Sequence, residues 1–108
     1  MGFTFERAPR PEGEYMSMTD VKKLGENFNV QQVIDDDSNM FNGEKKPRFL
    51  VKGTVGDGET VVLVSCPKGY SRDDFLVALQ EHLESTEEVV PIRFVGTKGS
   101  AYIDIEVA

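Results

Sequence analysis

Residues 48–107 read RFLVKGTVGDGETVVLVSCPKGYSRDDFLVALQEHLESTEEVVPIRFVGTKGSAYIDIEV, and this stretch decides the fold. It contains two runs of apolar and β-branched residues around a glycine-rich turn, then a segment with helical spacing, then two more alternating runs. The predicted order is strand, strand, helix, strand, strand. The four predicted strands cover residues 48–55, 60–66, 89–95 and 101–107.

The helix is the most clearly marked of these elements. Ser71 is predicted to cap its N-terminus, and Asp74 completes a capping box three residues later. Leucines then recur at helical spacing and form one apolar stripe, so we predict a helix over residues 71–85. Arg72 lies off this stripe and is expected to face water.

A further strand is predicted upstream of this series. Residues 14–24 alternate between two faces, and the alternation resumes from Phe28 to Ile34, which indicates one long strand that bends at Gly25. Prolines in residues 1–13 argue against a helix there, and we expect a loosely held N-terminal segment. The polar loop 35–46 contains an apolar Met-Phe pair, which either anchors the loop to the core or contacts a partner.

Length, net charge and cysteine content limit the classes of protein to which this chain can belong. The chain has 108 residues, enough for a single domain with its own core, and a net charge of -7, which argues against coating duplex DNA through an extended basic face. The only cysteine, Cys66, is expected to be a buried thiol. With no sign of a disulfide, a signal peptide or a membrane span, a cytoplasmic protein is expected, in the host cytoplasm if it is viral.

Motifs for catalysis and for cofactor binding are lacking. The only histidine, His82, adjoins the helix stripe and has no predicted nucleophile beside it. Asp35, Asp37 and Asn39 match the start of a calcium loop, but the later positions of that loop do not match. We therefore expect a protein that is not an enzyme and that needs no metal or cofactor.

The densest group of basic residues offers a different chemistry. Lys45, Lys46, Arg48 and Lys52 surround Phe49, and cations interleaved with aromatic rings suit a single nucleic-acid strand, whose phosphates need positive charge and whose bases need stacking surfaces. Strand alternation leaves two registers open: Phe49 points inward while Arg48 and Lys52 point outward, or the reverse. Alternatively, these cations are solvated side chains at the entry to a strand, where lysines also discourage pairing with the edge of another sheet.

Smaller sites could join the same groove in a folded domain. Tyr70 and Arg72 precede or begin the predicted helix, and Arg93 lies in the strand after it. The candidate nucleic-acid-binding residues are therefore Lys45, Lys46, Arg48, Phe49, Lys52, Tyr70, Arg72 and Arg93.

The chain resembles the small, stand-alone OB-fold proteins that bind single-stranded DNA, including those encoded by bacteriophages. The resemblance lies in the order of elements from Tyr15 to Val107, and in the Glu12-Gly13-Glu14-Tyr15 entry to a first strand that breaks at Gly25. It implies a mainly β domain over residues 1–108, with one helix and a five-stranded, partly open barrel.

The resemblance also implies a function. It implies binding of single-stranded DNA without sequence preference, through a sheet face and loops, in DNA replication or recombination. It implies self-association as a homodimer and contact with replication or recombination proteins. One departure is that the chain has no tryptophan.

Two alternatives remain open from the sequence. A β-grasp module has the same hairpin, helix and two strands if the N-terminal third is an extension. An acidic protein-interaction module, such as a small viral inhibitor that occupies a host protein's basic nucleic-acid-binding site, would explain the negative charge.

Overall fold

The computed structural model describes residues 14–96 and 102–108. The fold is mainly β, and the N-terminal segment 1–13 and the start of the last predicted strand lie outside the described residues. The elements in chain order are β1 (Glu14–Met16), α1 (Met18–Leu24), β2 (Phe28–Asp36), β3 (Met40–Phe41), β4 (Glu44–Lys45), β5 (Arg48–Val55), β6 (Val61–Pro67), α2 (Arg72–Thr86), β7 (Val90–Gly96) and β8 (Ile103–Val107).

Six strands form one mixed sheet in the order β1-β6-β5-β2-β7-β8, and β3 pairs with β4 in a separate hairpin. Only the β1–β6 pair is parallel; the other pairs in this sheet are antiparallel. Strands β2, β5 and β6 are consecutive antiparallel neighbours, and β7 returns after α2 to lie beside β2. This spatial order of fourth, first, second and third strand is a Greek key.

One face of the sheet carries the core. Strand alternation directs apolar side chains from β2, β5, β6 and β7 to this face, where Leu76, Leu79 and Leu83 of α2 pack against them. Val62, Leu63 and Val64 are all buried, so β6 is covered on both faces. Leu50 and Leu63 are buried on the face opposite the core.

The four strands and the helix predicted over residues 48–107 are confirmed, with ends that differ by one or two residues. The start of α2 differs in detail. Ser71 makes no side-chain capping bond; its Oγ lies 2.8 Å from Tyr102 Oη. Asp73 Oδ2 instead accepts the backbone N–H of Gly69 at 2.7 Å.

The prediction of a strand over residues 14–24 is wrong beyond β1. Residues 18–24 form α1, whose N-terminus is capped because Ser17 Oγ accepts the backbone N–H of Asp20 at 3.1 Å. Gly25 has φ +68° and ends this helix in the left-handed conformation, so it is a C-cap and not a bend in a strand. Local capping at both ends outweighs the weak alternation between them.

The barrel prediction also needs correction. The described sheet has six strands rather than five, it is not closed into a barrel, and two helices are present rather than one. The sixth strand is the short β1, which lies parallel to β6 at one edge. The β-grasp alternative required the N-terminal third to be an extension, whereas β2 lies inside the sheet between β5 and β7.

We expect Leu79→Ala to lower the free energy of unfolding by about 2–5 kcal/mol, because a cavity would remain between α2 and the sheet. Leu79 is 6% exposed, whereas Val77 on the same helix is 43% exposed. Val77→Ala is the matched control and should change stability by less than about 0.5 kcal/mol. Urea denaturation monitored by circular dichroism measures both, and equal midpoints for the two variants would contradict this packing.

Candidate nucleic-acid interface

The basic segment lies at the start of β5 and on the sheet face opposite the core, which we call the outer face. On β5 the outer face carries Arg48, Leu50, Lys52 and Thr54, and pairing with β6 places Leu63 and Ser65 beside them. Phe49 points the other way and is only 3% exposed, so it belongs to the core. The inward register of Phe49 is therefore the one observed, and Phe49 presents no stacking surface to a ligand.

Strands β3 and β4 build a hairpin beside this face. Asn42 and Gly43 have φ of 51° and 78°, the two left-handed residues that a two-residue hairpin turn of type I′ requires. At its base Asn39 and Lys46 exchange two hydrogen bonds: the Lys46 N–H donates to the Asn39 carbonyl at 2.8 Å, and Asn39 Nδ2 donates to the Lys46 carbonyl at 3.0 Å.

The hairpin and the outer face enclose a cavity of about 350 Å³, which we call the hairpin groove. Phe41 and Met40 lie on its wall with exposed fractions of 63% and 60%. Phe41 is not among the predicted site residues, although the Met-Phe pair inside a polar loop was a signal that it contacts a partner. The lining residues are Asn39, Met40, Phe41, Lys46, Pro47, Arg48, Ser65 and Pro67.

Aspartates at the end of β2 hold two of the nearby cations. Arg48 Nε donates to Asp36 Oδ2 at 2.9 Å, and Lys68 forms ion pairs with Asp35 and Asp37. The hydrogen bond from Lys68 lowers the pKa of Asp37, and the bonds to Asp35 and Asp37 raise the pKa of Lys68. These aspartates therefore reduce the positive charge that Arg48 and Lys68 offer to a phosphate.

The remaining cations of the basic segment are less constrained. Lys46 pairs with Glu44 at 3.1 Å, but both side chains are more than half exposed, so this pair is weak. Lys45 and Lys52 form no ion pair within the described ranges. Lys45 and Lys46 lie on or next to the hairpin, and Lys52 lies on the outer face.

Tyr70, Arg72 and Tyr102 form a separate cluster next to the end of β6. The tyrosine ring centroids are 5.7 Å apart, and the Arg72 guanidinium lies 4.3 Å from the Tyr70 centroid. Arg72 is 3% exposed and donates to the carbonyls of Ile103 at 2.9 Å and Pro67 at 3.3 Å. The expectation that Arg72 faces water is wrong, whereas Tyr70 remains 48% exposed.

Arg93 lies away from the basic segment of residues 45–52. Its Nε donates to Asn27 Oδ1 at 2.8 Å, next to the start of β2, whereas the hairpin groove lies beyond the end of β2. Arg93 lines a second, polar cavity of about 350 Å³ together with Glu26 and Asp57. Two carboxylates at this cavity make it a poor site for phosphate.

The buried thiol predicted for Cys66 is confirmed: it is 0% exposed, and burial raises its pKa to about 12. Asp35 and Asp37 contact Lys68, and within the described residues no three His, Cys, Asp or Glu side chains are grouped so that they could hold a metal ion. In the same residues, neither helix has the length and apolar character needed to cross a membrane.

Comparison of the chain with protein-family models, with curated proteins and with solved structures finds no match.

Proposed function

We propose that this protein binds single-stranded DNA, largely without sequence preference, through the β3–β4 hairpin and through the polar side chains of the outer face of β5 and β6. These polar side chains are partly exposed, although Leu50 and Leu63 beside them are buried. A phage-encoded role in DNA replication or recombination accords with this activity. The chemistry required is modest: cations for the phosphates, a flat ring for the bases, and a rigid sheet to hold both.

One observation carries the proposal: the basic segment and the exposed Phe41 lie where an OB-fold would bind its ligand. An OB-fold is a Greek-key barrel that binds through the face of its second and third strands and through the loop between its first and second. Counted from β2, those strands are β5 and β6, and that loop is the segment with the β3–β4 hairpin.

Two further features resemble an OB-fold, although the described sheet is not closed into a barrel. Helix α2 lies between the third and fourth strands of the Greek key, as the resemblance implies. Arg72 donates to carbonyls at the end of β6 and the start of β8, although three other strands separate these two in the sheet order. The sheet therefore curls enough for one side chain to link β6 to β8.

The charge distribution sets what kind of binding to expect. A net charge of -7 supplies no long-range attraction for DNA, so association should be slow compared with that of basic proteins. Affinity then depends on local contacts from Lys45, Lys46 and Lys52, and on stacking.

We expect Lys45→Ala with Lys46→Ala to weaken binding to poly-dT and to lower the slope of log affinity against log salt by about 0.7 for each phosphate that the protein no longer neutralises. Fluorescence titrations with labelled single-stranded and duplex oligonucleotides at several salt concentrations measure both quantities. Lys22→Ala with Lys23→Ala on α1 is the matched control, because it removes the same charge from exposed positions away from the groove.

The wild-type protein should prefer single strands to duplex DNA, and the control variant should bind as wild type does. An equal decrease in affinity for the two double variants would point to bulk charge rather than to a site. Absence of single-strand preference at low salt would overturn the proposal.

A second candidate is an acidic interaction module that occupies the basic nucleic-acid-binding site of another protein. The arrangement of Asp35, Asp36 and Asp37 favours it, because these three carboxylates pair with only two cations, Arg48 and Lys68, and the group is therefore net negative. This candidate predicts no oligonucleotide binding, and inhibition of a basic DNA-binding protein that salt relieves.

A further inference from the structure

The hairpin groove has apolar walls that the fold leaves uncovered. Phe41 and Met40 are each at least 60% exposed, and Pro47 and Pro67 line the same cavity. Met40 and Phe41 form the strand β3, next to the hairpin turn, and the described part of the domain leaves both side chains exposed. Such a surface is typical of a binding site rather than of a loop anchored to the core, and a cavity of about 350 Å³ is large enough for a flat bicyclic ring.

The lining of the groove also carries two hydrogen-bond donors. Arg48 Nε donates to Asp36 and Nη1 donates to Ser65 Oγ at 3.2 Å, while Nη2 has no partner within the described residues. Because a guanidinium only donates, Ser65 Oγ is the acceptor in this bond and keeps its own proton to donate. Asp36 and Ser65 hold the guanidinium of Arg48, and Arg48 and Ser65 line the same groove.

We propose that the hairpin groove binds one nucleobase of the DNA strand, stacked on Phe41, and that it prefers guanine. The inference rests on the proposed function and identifies the part of the DNA that this groove binds. The rest of the strand is bound through its phosphates, and Lys46 at the groove and Lys45 beside it are placed to contact the phosphates that flank the inserted base.

The preference for guanine follows from the two donors. Guanine presents two adjacent acceptors, O6 and N7, whereas adenine pairs its N7 acceptor with an N6 donor that would face Arg48 or Ser65. Thymine separates its carbonyl acceptors by an N–H group. Cytosine has adjacent acceptors at O2 and N3, but its single ring covers less of the apolar wall. The expected order is therefore guanine, cytosine, then adenine and thymine.

The test uses fluorescein-labelled nonamers of dT in which the central base is dG, dC, dA or left as dT. We expect wild-type protein to bind the dG nonamer about tenfold more tightly than the dA nonamer. Ser65→Ala should reduce this ratio to about two, because one of the two donors is removed. Phe41→Ala should weaken binding of all four nonamers by about tenfold, and Phe41→Tyr should restore it, because the ring is what the base stacks on.

Val77→Ala is the control, since it truncates an exposed apolar side chain on α2, which does not line the groove. It should leave affinity and base preference unchanged. Equal wild-type affinity for the four nonamers would overturn the proposal that the groove binds and selects a base, as would a Phe41→Ala variant that binds as wild type does. Either result is compatible with binding of poly-dT, so the proposed function would still stand. Binding of no oligonucleotide at all would overturn this inference and the proposed function together.

Discussion

Gly53→Ala is expected to lower the free energy of unfolding by more than about 4 kcal/mol, or to prevent folding. A Cβ atom at this position would overlap the Asn29 carbonyl oxygen and would lie 2.9 Å from its carbonyl carbon. It would also lie 3.0 Å from the ring of Phe28, which is fully buried. Because backbone and core ring both obstruct it, β2 and β5 would have to separate at the centre of the sheet.

Gly96→Ala is the matched control for this prediction. There the added Cβ meets the end of the Lys22 side chain, with Nζ 2.6 Å away, and an exposed lysine can move aside. We expect Gly96→Ala to change stability by less than about 1 kcal/mol. Urea denaturation, or the soluble yield where a variant does not fold, compares the two. A Gly53→Ala variant as stable as Gly96→Ala would show that the two strands are not so close.

The strands that flank α2 could be predicted because their signals are local and agree with one another. Alternation, β-branched residues and glycine-rich turns all indicate the same boundaries between residues 48 and 107. Upstream, two local signals indicate structures other than those predicted: Ser17 with Asp20 marks a helix start, and Asn42-Gly43 marks a hairpin turn. Both signals are short. The first lies in a segment predicted as a strand from its alternation, and the second in a segment predicted as a loop from its polar residues.

The candidate site was less predictable, because it depends on contacts between distant segments. Alternation could not decide whether Phe49 faces the core, since either register of β5 places apolar residues on both faces. Nor could it show that aspartates at the end of β2 would bind Arg48 and Lys68, which lie 12 and more than 30 residues away along the chain. Such pairings follow from strand register and curvature rather than from local sequence.

Arg72 illustrates the same limit, and it gives the second large prediction. We expect Arg72→Ala to lower the free energy of unfolding by about 3–5 kcal/mol, since hydrogen bonds from a charged group contribute about 1.5–3 kcal/mol each. The carbonyls of Pro67 and Ile103 would lose their donor, and the rings of Tyr70 and Tyr102 would lose the cation packed on them. Urea denaturation measures the decrease, and the near-ultraviolet circular dichroism of the tyrosines should weaken with it.

Arg72→Lys is the control that separates charge from geometry. Lysine keeps the positive charge, but its single ammonium group cannot reproduce the planar fork with which arginine reaches two carbonyls. We therefore expect Arg72→Lys to retain less than half of the stabilisation. An unchanged midpoint in Arg72→Ala would contradict a link between β6 and β8.

The same variants decide whether Arg72 contacts DNA. Its side chain is 3% exposed and its hydrogen bonds join two parts of the domain, so we expect it to stabilise the sheet without touching a phosphate. Under conditions where Arg72→Ala remains folded, its salt slope for poly-dT should match that of wild type, in contrast to the Lys45 and Lys46 double variant. A reduced slope in folded Arg72→Ala would place the guanidinium on the DNA, and the tyrosine cluster would then belong to the interface.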